Sequence, residues 1–174
     1  MAFLVRKIAR AKWPEDKCDI MDLYGDAISD LRTTENTLSL WRIESEDDLP
    51  TAALALSASS KSDSIETISL VWISEDLIRE KLIPIDEHSP GDTVVSDLVN
   101  LHRDLYGITY KSLGDIADIL MSELIEKNHY KRYPRSEVKA SLAKAYNENR
   151  IAQEKCLPEL LSEIKKAAGK VKRN

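Results

Sequence analysis

Glycine is scarce in this sequence, with five residues among 174, at positions 25, 91, 107, 114 and 169. Dinucleotide fingerprints and Walker loops need closely spaced glycines to bring backbone N–H groups against phosphate, and this spacing excludes both. Histidine is equally thin. His88, His102 and His129 fall in separate segments, and there is no His-x-x-x-His or Cys-x-x-Cys spacing, so no metal site is expected. Cysteine occurs twice, at Cys18 and Cys156. Two distant cysteines do not form the framework of a small secreted domain and read as free thiols of a reducing compartment. Long apolar runs are also missing. The segment Ala2-Phe3-Leu4-Val5 is too short for a secretory leader, and its charges follow it instead of preceding it. The longest apolar candidate, residues 54–58, is far below the roughly 20 residues of a membrane helix. The expectations are a cytoplasmic location, no membrane contact and no cofactor.

The remaining composition is that of a folded protein. Apolar residues make up 43% of the chain and charged residues 32%, enough to build a core without disulfides. The pattern predicts an α+β fold and a single domain over residues 1–174. Residues 1–90 form its strand-containing layer and residues 91–174 its helical layer. A small sheet of about three strands is expected from residues 3–13, 38–44 and 65–73. The last is nearly continuous in Ile68, Leu70, Val71, Trp72 and Ile73 and suits a central strand buried on both faces. The first carries Arg6, Lys7, Arg10 and Lys12 and suits a sheet edge. Short helices are expected over residues 19–32, over 52–58 behind Pro50, and over 74–82 capped by Ser74. Ser89-Pro90-Gly91-Asp92 reads as a type II turn.

Four helices should then fill the C-terminal half. The first has Val94, Leu98, Leu101 and Leu105 on one stripe. The second starts at Ser112, with Asp115 three residues on as a capping box. The third, after the break at Tyr133-Pro134, contains Val138, Leu142 and Ala145, and the fourth runs from Leu157 to Ala168 with Pro158 near its start. Residues 169–174 are expected to fray.

Charge is the main functional signal. Residues 1–13 carry a net +4, residues 14–126 carry 8 basic and 25 acidic residues, and residues 127–174 carry 13 basic and 5 acidic residues, a net +8. The basic tail interleaves Lys131, Arg132, Arg135 and Lys139 with Tyr130 and Tyr133. That mixture docks on an acidic protein surface, binds nucleic acid by charge and stacking, or neutralises the chain's own acidic layer. Trp13, beside the basic N-terminal segment, is the tryptophan expected to be exposed and to join such a surface.

Catalytic patterns fail on inspection. His102-Arg103-Asp104 opens like a kinase catalytic loop, but Thr109 stands where the asparagine is required and no Asp-Phe-Gly follows. His102 reads as a helix-face residue beside a carboxylate. Asp86, Glu87 and His88 form a local cluster of the kind common in surface loops. Cys156 has no histidine partner, and Glu163-Ile164-Lys165, although shaped like part of a nuclease signature, lies in a helical pattern. Residues 112–150 loosely suggest a helix-turn-helix without its central glycine. The sequence therefore points to a non-enzymatic interaction protein, an accessory or regulatory and neutralising subunit of a multiprotein complex. Its partner-binding residues would be Lys131, Arg132, Arg135, Lys139, Tyr130, Tyr133 and Trp13. Nucleic-acid binding through the basic C-terminal helices is the alternative, an enzyme with an unrecognised site the second, and homo-oligomerisation is left open.

Overall fold

Residues 2–171 are described by a computed structural model, and six strands run through them: Phe3–Lys7 (β1), Leu38–Ile43 (β2), Ile68–Ser74 (β3), Ile85–Asp86 (β4), His102–Leu105 (β5) and Tyr130–Tyr133 (β6). They form one sheet in the order β4-β5-β2-β1-β3-β6, with every pairing antiparallel. The helices are Gly25–Asp30 (α1), Leu49–Ser57 (α2), Glu75–Glu80 (α3), Tyr110–Ile125 (α4), Arg135–Asn147 (α5) and Pro158–Val171 (α6), joined by short 3-10 turns. The chain is α+β, but the expectation of a sheet of about three strands is overturned by these six. Of the terminal segment expected to fray, residues 169–171 belong to α6 and residues 172–174 lie outside the described residues.

Both faces of the sheet are covered. Strand periodicity sends alternate side chains to opposite sides. Val5, Trp41, Ile43, Leu70 and Trp72 meet α2, α5 and α6 in one core. Leu4, Leu38, Leu40, Val71 and Ile73 meet α1, α3, α4 and the segment around Trp13 in the other. β3 is thus buried on both faces, as its continuous apolar run required. Cys18 packs against one core and Cys156 against the other, both as free thiols.

Two strands hide inside segments that looked otherwise. The stripe Val94, Leu98, Leu101, Leu105 is not one helix. Residues Ser96–Leu101 form a 3-10 turn, and the chain then extends into β5. Val94 and Leu98 enter the core beneath α2, while Leu105 enters the opposite one. Helical spacing here arises from two elements that serve different cores. β6 lies where a loop break was expected, because an edge strand with one polar rim lacks the apolar run that marks β3.

β1 is not at an edge. It lies between β2 and β3, and its basic character is accommodated locally. The Arg6 guanidinium donates to Ser39 O at 2.8 Å and to Asp30 O at 2.9 Å, and burial, opposed by Asp30, pulls its pKa down. Lys7 ends the strand at the surface.

Local signals at the helix ends were mostly legible. Ser74 Oγ accepts from Asp76 N to start α3, Pro50 sits in the first turn of α2, and Pro158 opens α6. The cap of α4 falls three residues earlier than expected: Thr109 Oγ1 accepts from Ser112 N at 3.2 Å and Ser112 Oγ accepts from Thr109 N at 2.8 Å. Ser112 is therefore the second partner of a capping box, not its first. The type II turn is not formed either, since among the described residues only Gly107 is a glycine with positive φ. Gly91 is present because Trp41 and His102 press against its backbone.

Candidate interaction surface

β6 is the last strand on its side of the sheet, and its period of two divides the expected binding residues. Tyr130 and Arg132 share one face. Tyr130 packs against the α4 core, with its hydroxyl 3.0 Å from Ser69 Oγ, and Arg132 stands exposed beside it. Lys131 and Tyr133 share the other face. Tyr133 is buried at 7% exposure, and Lys131 Nζ lies 5.0 Å from its ring centroid. Burial, with Glu137 adding, pushes the Tyr133 phenol up, and its hydroxyl has no partner among the described residues. Tyr133 is thus a packing residue that offers Lys131 an aromatic platform.

The backbone of β6 is half free. Trp72 N donates to His129 O at 3.3 Å, and antiparallel alternation from that pair aims the N–H and C=O groups of Lys131 and Tyr133 at β3. The backbone groups of Arg132 point the other way, to the open edge. Tyr130 N turns back to Asn128 O at 2.8 Å.

Beneath this edge, the chain after β1 and the ends of β3 and β6 enclose an open groove of about 1340 Å³. Lys7, Arg10, Lys17 and Arg132 line it, with Ser69 and Tyr130 on its floor, while Glu15, Asp16 and Asp22 contribute carboxylates. The two basic segments, more than a hundred residues apart in sequence, meet here. Arg10 is held by Trp13 O at 2.9 Å and Pro14 O at 3.1 Å. Lys17 reaches Glu126 at 3.1 Å and Lys7 reaches Glu66 at 3.8 Å. Arg132 and Lys131 are paired with no carboxylate among the described residues.

Trp13 is not exposed. It lines the groove's inner wall at 4% exposure, and its Nε1 donates to Asp30 Oδ2 at 3.0 Å. The same oxygen accepts from Ala9 N at 2.8 Å, so one aspartate anchors both the indole and the turn after β1.

Arg135 and Lys139 lie at the start of α5, where both turn to Glu163 of α6, at 2.6 and 3.5 Å. Glu163 also accepts from Ile65 N at 2.9 Å. Burial pushes its carboxyl up, but the Ile65 N–H and the two cations outweigh this and hold it below the usual range. A carboxylate whose pKa is lower folded than unfolded contributes fully above its ordinary value of 4.5 and loses that contribution as pH falls through the folded value. Glu163→Gln is therefore expected to cost about 1 kcal/mol at pH 7. In urea unfolding, its deficit relative to wild type should shrink as pH falls below the ordinary carboxylate value of 4.5 and through the lower folded one; a deficit independent of pH would remove the charge from this account.

Residues 112–150 form no helix-turn-helix. β6 separates α4 from α5, and the two helices lie on opposite faces of the sheet. His102 lies on a strand, not a helix. It is 6% exposed, with Nδ1 3.0 Å from Ser89 O and Nε2 3.5 Å from Asp104 Oδ1 two residues on, the spacing that shares a strand face. Asp86 accepts from His88 N at 2.9 Å and Glu87 pairs with Arg79 at 3.1 Å, so this loop's carboxylates do not converge. Burial, then Glu154, pushes the Cys156 thiol up, the reverse of an activated nucleophile. Among the described residues, no three His, Cys, Asp or Glu side chains come together to hold a metal, and no helix is long and apolar enough to cross a membrane.

One group escaped the sequence reading. Glu123 of α4, 2% exposed at its side chain, has Oε2 2.7 Å from His129 Nδ1 and Oε1 2.9 Å from Lys127 Nζ. His129 stacks on Trp72 with centroids 5.2 Å apart. Glu123 falls on the same helical stripe as Ile116 and Leu120, and a carboxylate in a core stripe demands a buried partner. That was the available signal. Since His129 immediately precedes β6, the pair anchors the candidate strand. The chain matches no family of known proteins, and no curated protein or solved structure matches it.

Proposed function

We propose that this chain is a cytoplasmic, non-enzymatic interaction module, an accessory or regulatory and neutralising subunit that receives an acidic protein surface at β6 and the groove below it. The observation that carries the reading is the contrast between cations. Arg135, Lys139 and Arg150 are each matched by a carboxylate of the chain itself, whereas Arg132 and Lys131 stand exposed on an open strand edge without one. A second copy of the same edge is disfavoured, because antiparallel pairing would set Lys131 and Arg132 against their own equivalents.

Arg132→Glu is expected to weaken the complex about tenfold, mainly through slower association, and to flatten its salt dependence. Arg135→Glu is a poorer probe, since it also breaks the contact with Glu163. The test is purification from the native source at low salt, followed by titration of the co-eluting species against wild type and Arg132→Glu. A stoichiometric protein released by salt and weakened by the substitution supports the proposal. Nucleic acid in that peak would transfer the basic edge to polynucleotide binding, and a protein bound equally well by both forms would move the docking face elsewhere.

A further inference from the structure

The open edge of β6 is a short window closed at both ends. Antiparallel alternation aims the Tyr130 C=O and the N–H and C=O of Arg132 away from β3. The turns and loops among the described residues leave these groups free. Before the window, Asn128 takes a left-handed φ of 54°, and its carbonyl captures Tyr130 N at 2.8 Å. After it comes Pro134, which has no N–H to offer a neighbouring strand. The Pro134 C=O is already committed to α5, accepting from Glu137 N at 3.0 Å and Val138 N at 3.1 Å. Main-chain pairing along this edge is therefore centred on Arg132.

The side chains select what can lie there. Lys131 and Arg132 are exposed and adjacent, so the strand period sends them to opposite faces of the sheet. Arg132 lines the groove, while Lys131 stands over Tyr133 on the other side. Neither is paired with a carboxylate among the described residues. Basic residues on an edge turn away strands like themselves, and opposite charges directly across a strand pair stabilise it.

We propose, resting on the reading of β6 as the docking edge, that the partner enters as an extended segment with two adjacent acidic residues, added to the sheet antiparallel to β6. Main-chain hydrogen bonds of this kind supply affinity, and alternate side chains supply specificity. The first acidic residue sits opposite Arg132. It receives the Arg132 N–H and donates its own N–H to Arg132 O. The second sits opposite Lys131, in the pair type where side chains come closest. The residue after that donates its N–H to Tyr130 O. Each carboxylate thus meets one cation, on its own face of the sheet. Acidic residues spaced two apart would both fall on one face and leave Lys131 unanswered.

The test is a titration of the isotope-labelled full chain, at low salt, with a short capped peptide that carries two adjacent glutamates between valine and threonine flanks. Binding should be detected by NMR below about 1 mM, with shifts centred on the Lys131 and Arg132 amides and slowed exchange at the Arg132 N–H. Methylating the nitrogen of the first glutamate keeps every charge but removes the donor to Arg132 O, and should weaken binding at least tenfold. Separating the glutamates by one valine should weaken it about threefold or more. A methylated peptide that binds as well as its parent overturns strand addition, yet it leaves acidic docking standing if Arg132→Glu weakens both. Equal binding of the spaced peptide overturns the two-face assignment. No binding of the parent at about 1 mM overturns the proposal, while the docking reading is decided separately by the Arg132→Glu titration of the native complex.

Discussion

Replacing His129 with alanine is expected to lower the unfolding free energy by about 2 kcal/mol, because the buried carboxylate of Glu123 loses the imidazole nitrogen that faces it. Glu123 Oε2 and His129 Nδ1 are both buried and lie 2.7 Å apart, a close polar contact without hydrogen-bond geometry that leaves neither atom another partner among the described residues. Lys127 still holds Oε1 but is itself half exposed, so it offsets only part of the loss. The substitution also removes a ring stacked on Trp72, worth about 0.5–1.5 kcal/mol. Denaturant unfolding of two variants separates these contributions. If the stranded carboxylate dominates, His129→Ala combined with Glu123→Leu should be clearly more stable than His129→Ala alone. If the double variant is no better, stacking carries the effect and the contact with Glu123 is incidental. Because His129 O receives the Trp72 N–H that starts the pairing of β6, amide exchange at Lys131 should quicken in the single variant.

That anchoring illustrates what a linear reading recovers and what it loses. β3 was legible because a strand covered on both faces carries its burial in its own residues. The caps at Ser74 and the prolines of α2 and α6 were legible because their chemistry is complete within a turn. β5 and β6 were not. Leu105 belongs to a different core from Val94 and Leu98, and nothing local distinguishes that from a helical stripe. Tyr130–Tyr133 shows no apolar–polar alternation, because its two tyrosines fall on opposite faces, and only Tyr133 is buried, so its apolar signal is a single residue.

The candidate surface was legible in its residue types and not in its grouping. Arg132 stayed available while Arg135 was drawn to Glu163, a distinction set by α6 and absent from the local sequence. Trp13 was misplaced for a related reason. The expected exposure followed from its basic neighbours, whereas Asp30, seventeen residues away, supplies the acceptor that lets an indole be buried. Charge counts over long segments single out two basic stretches; only the sheet, by placing β1 and β6 on either side of β3, brings them to one groove.

Gly91→Ala is expected to destabilise the protein by about 2–3 kcal/mol, at the upper end of overpacking costs, and the sign is as informative as the size. Where the backbone allows it, alanine for glycine stabilises by about 0.4–1 kcal/mol through the unfolded chain, and Gly91 does not have the positive φ that would forbid alanine on conformational grounds. The objection is steric. A methyl at Gly91 would lie 2.4 and 2.7 Å from two carbons of the Trp41 ring and 2.8 Å from His102 Cβ. None of these neighbours can move easily. Trp41 is 4% exposed in the core under α2, and it meets His102 edge-on at 5.5 Å between centroids. His102 is fixed by Ser89 O through its ring and by its pairing with Trp41 across β2 and β5. A domain of this size loses about 2–4 °C of melting temperature per kcal/mol, so calorimetry should place the variant about 5–10 °C below wild type. Trp41→Phe removes the part of the ring system that touches Gly91, so in that background the alanine should be tolerated with a much smaller loss. Equal losses in both backgrounds would mean that the penalty arises from His102 Cβ or from the turn itself and not from the indole pressed against it.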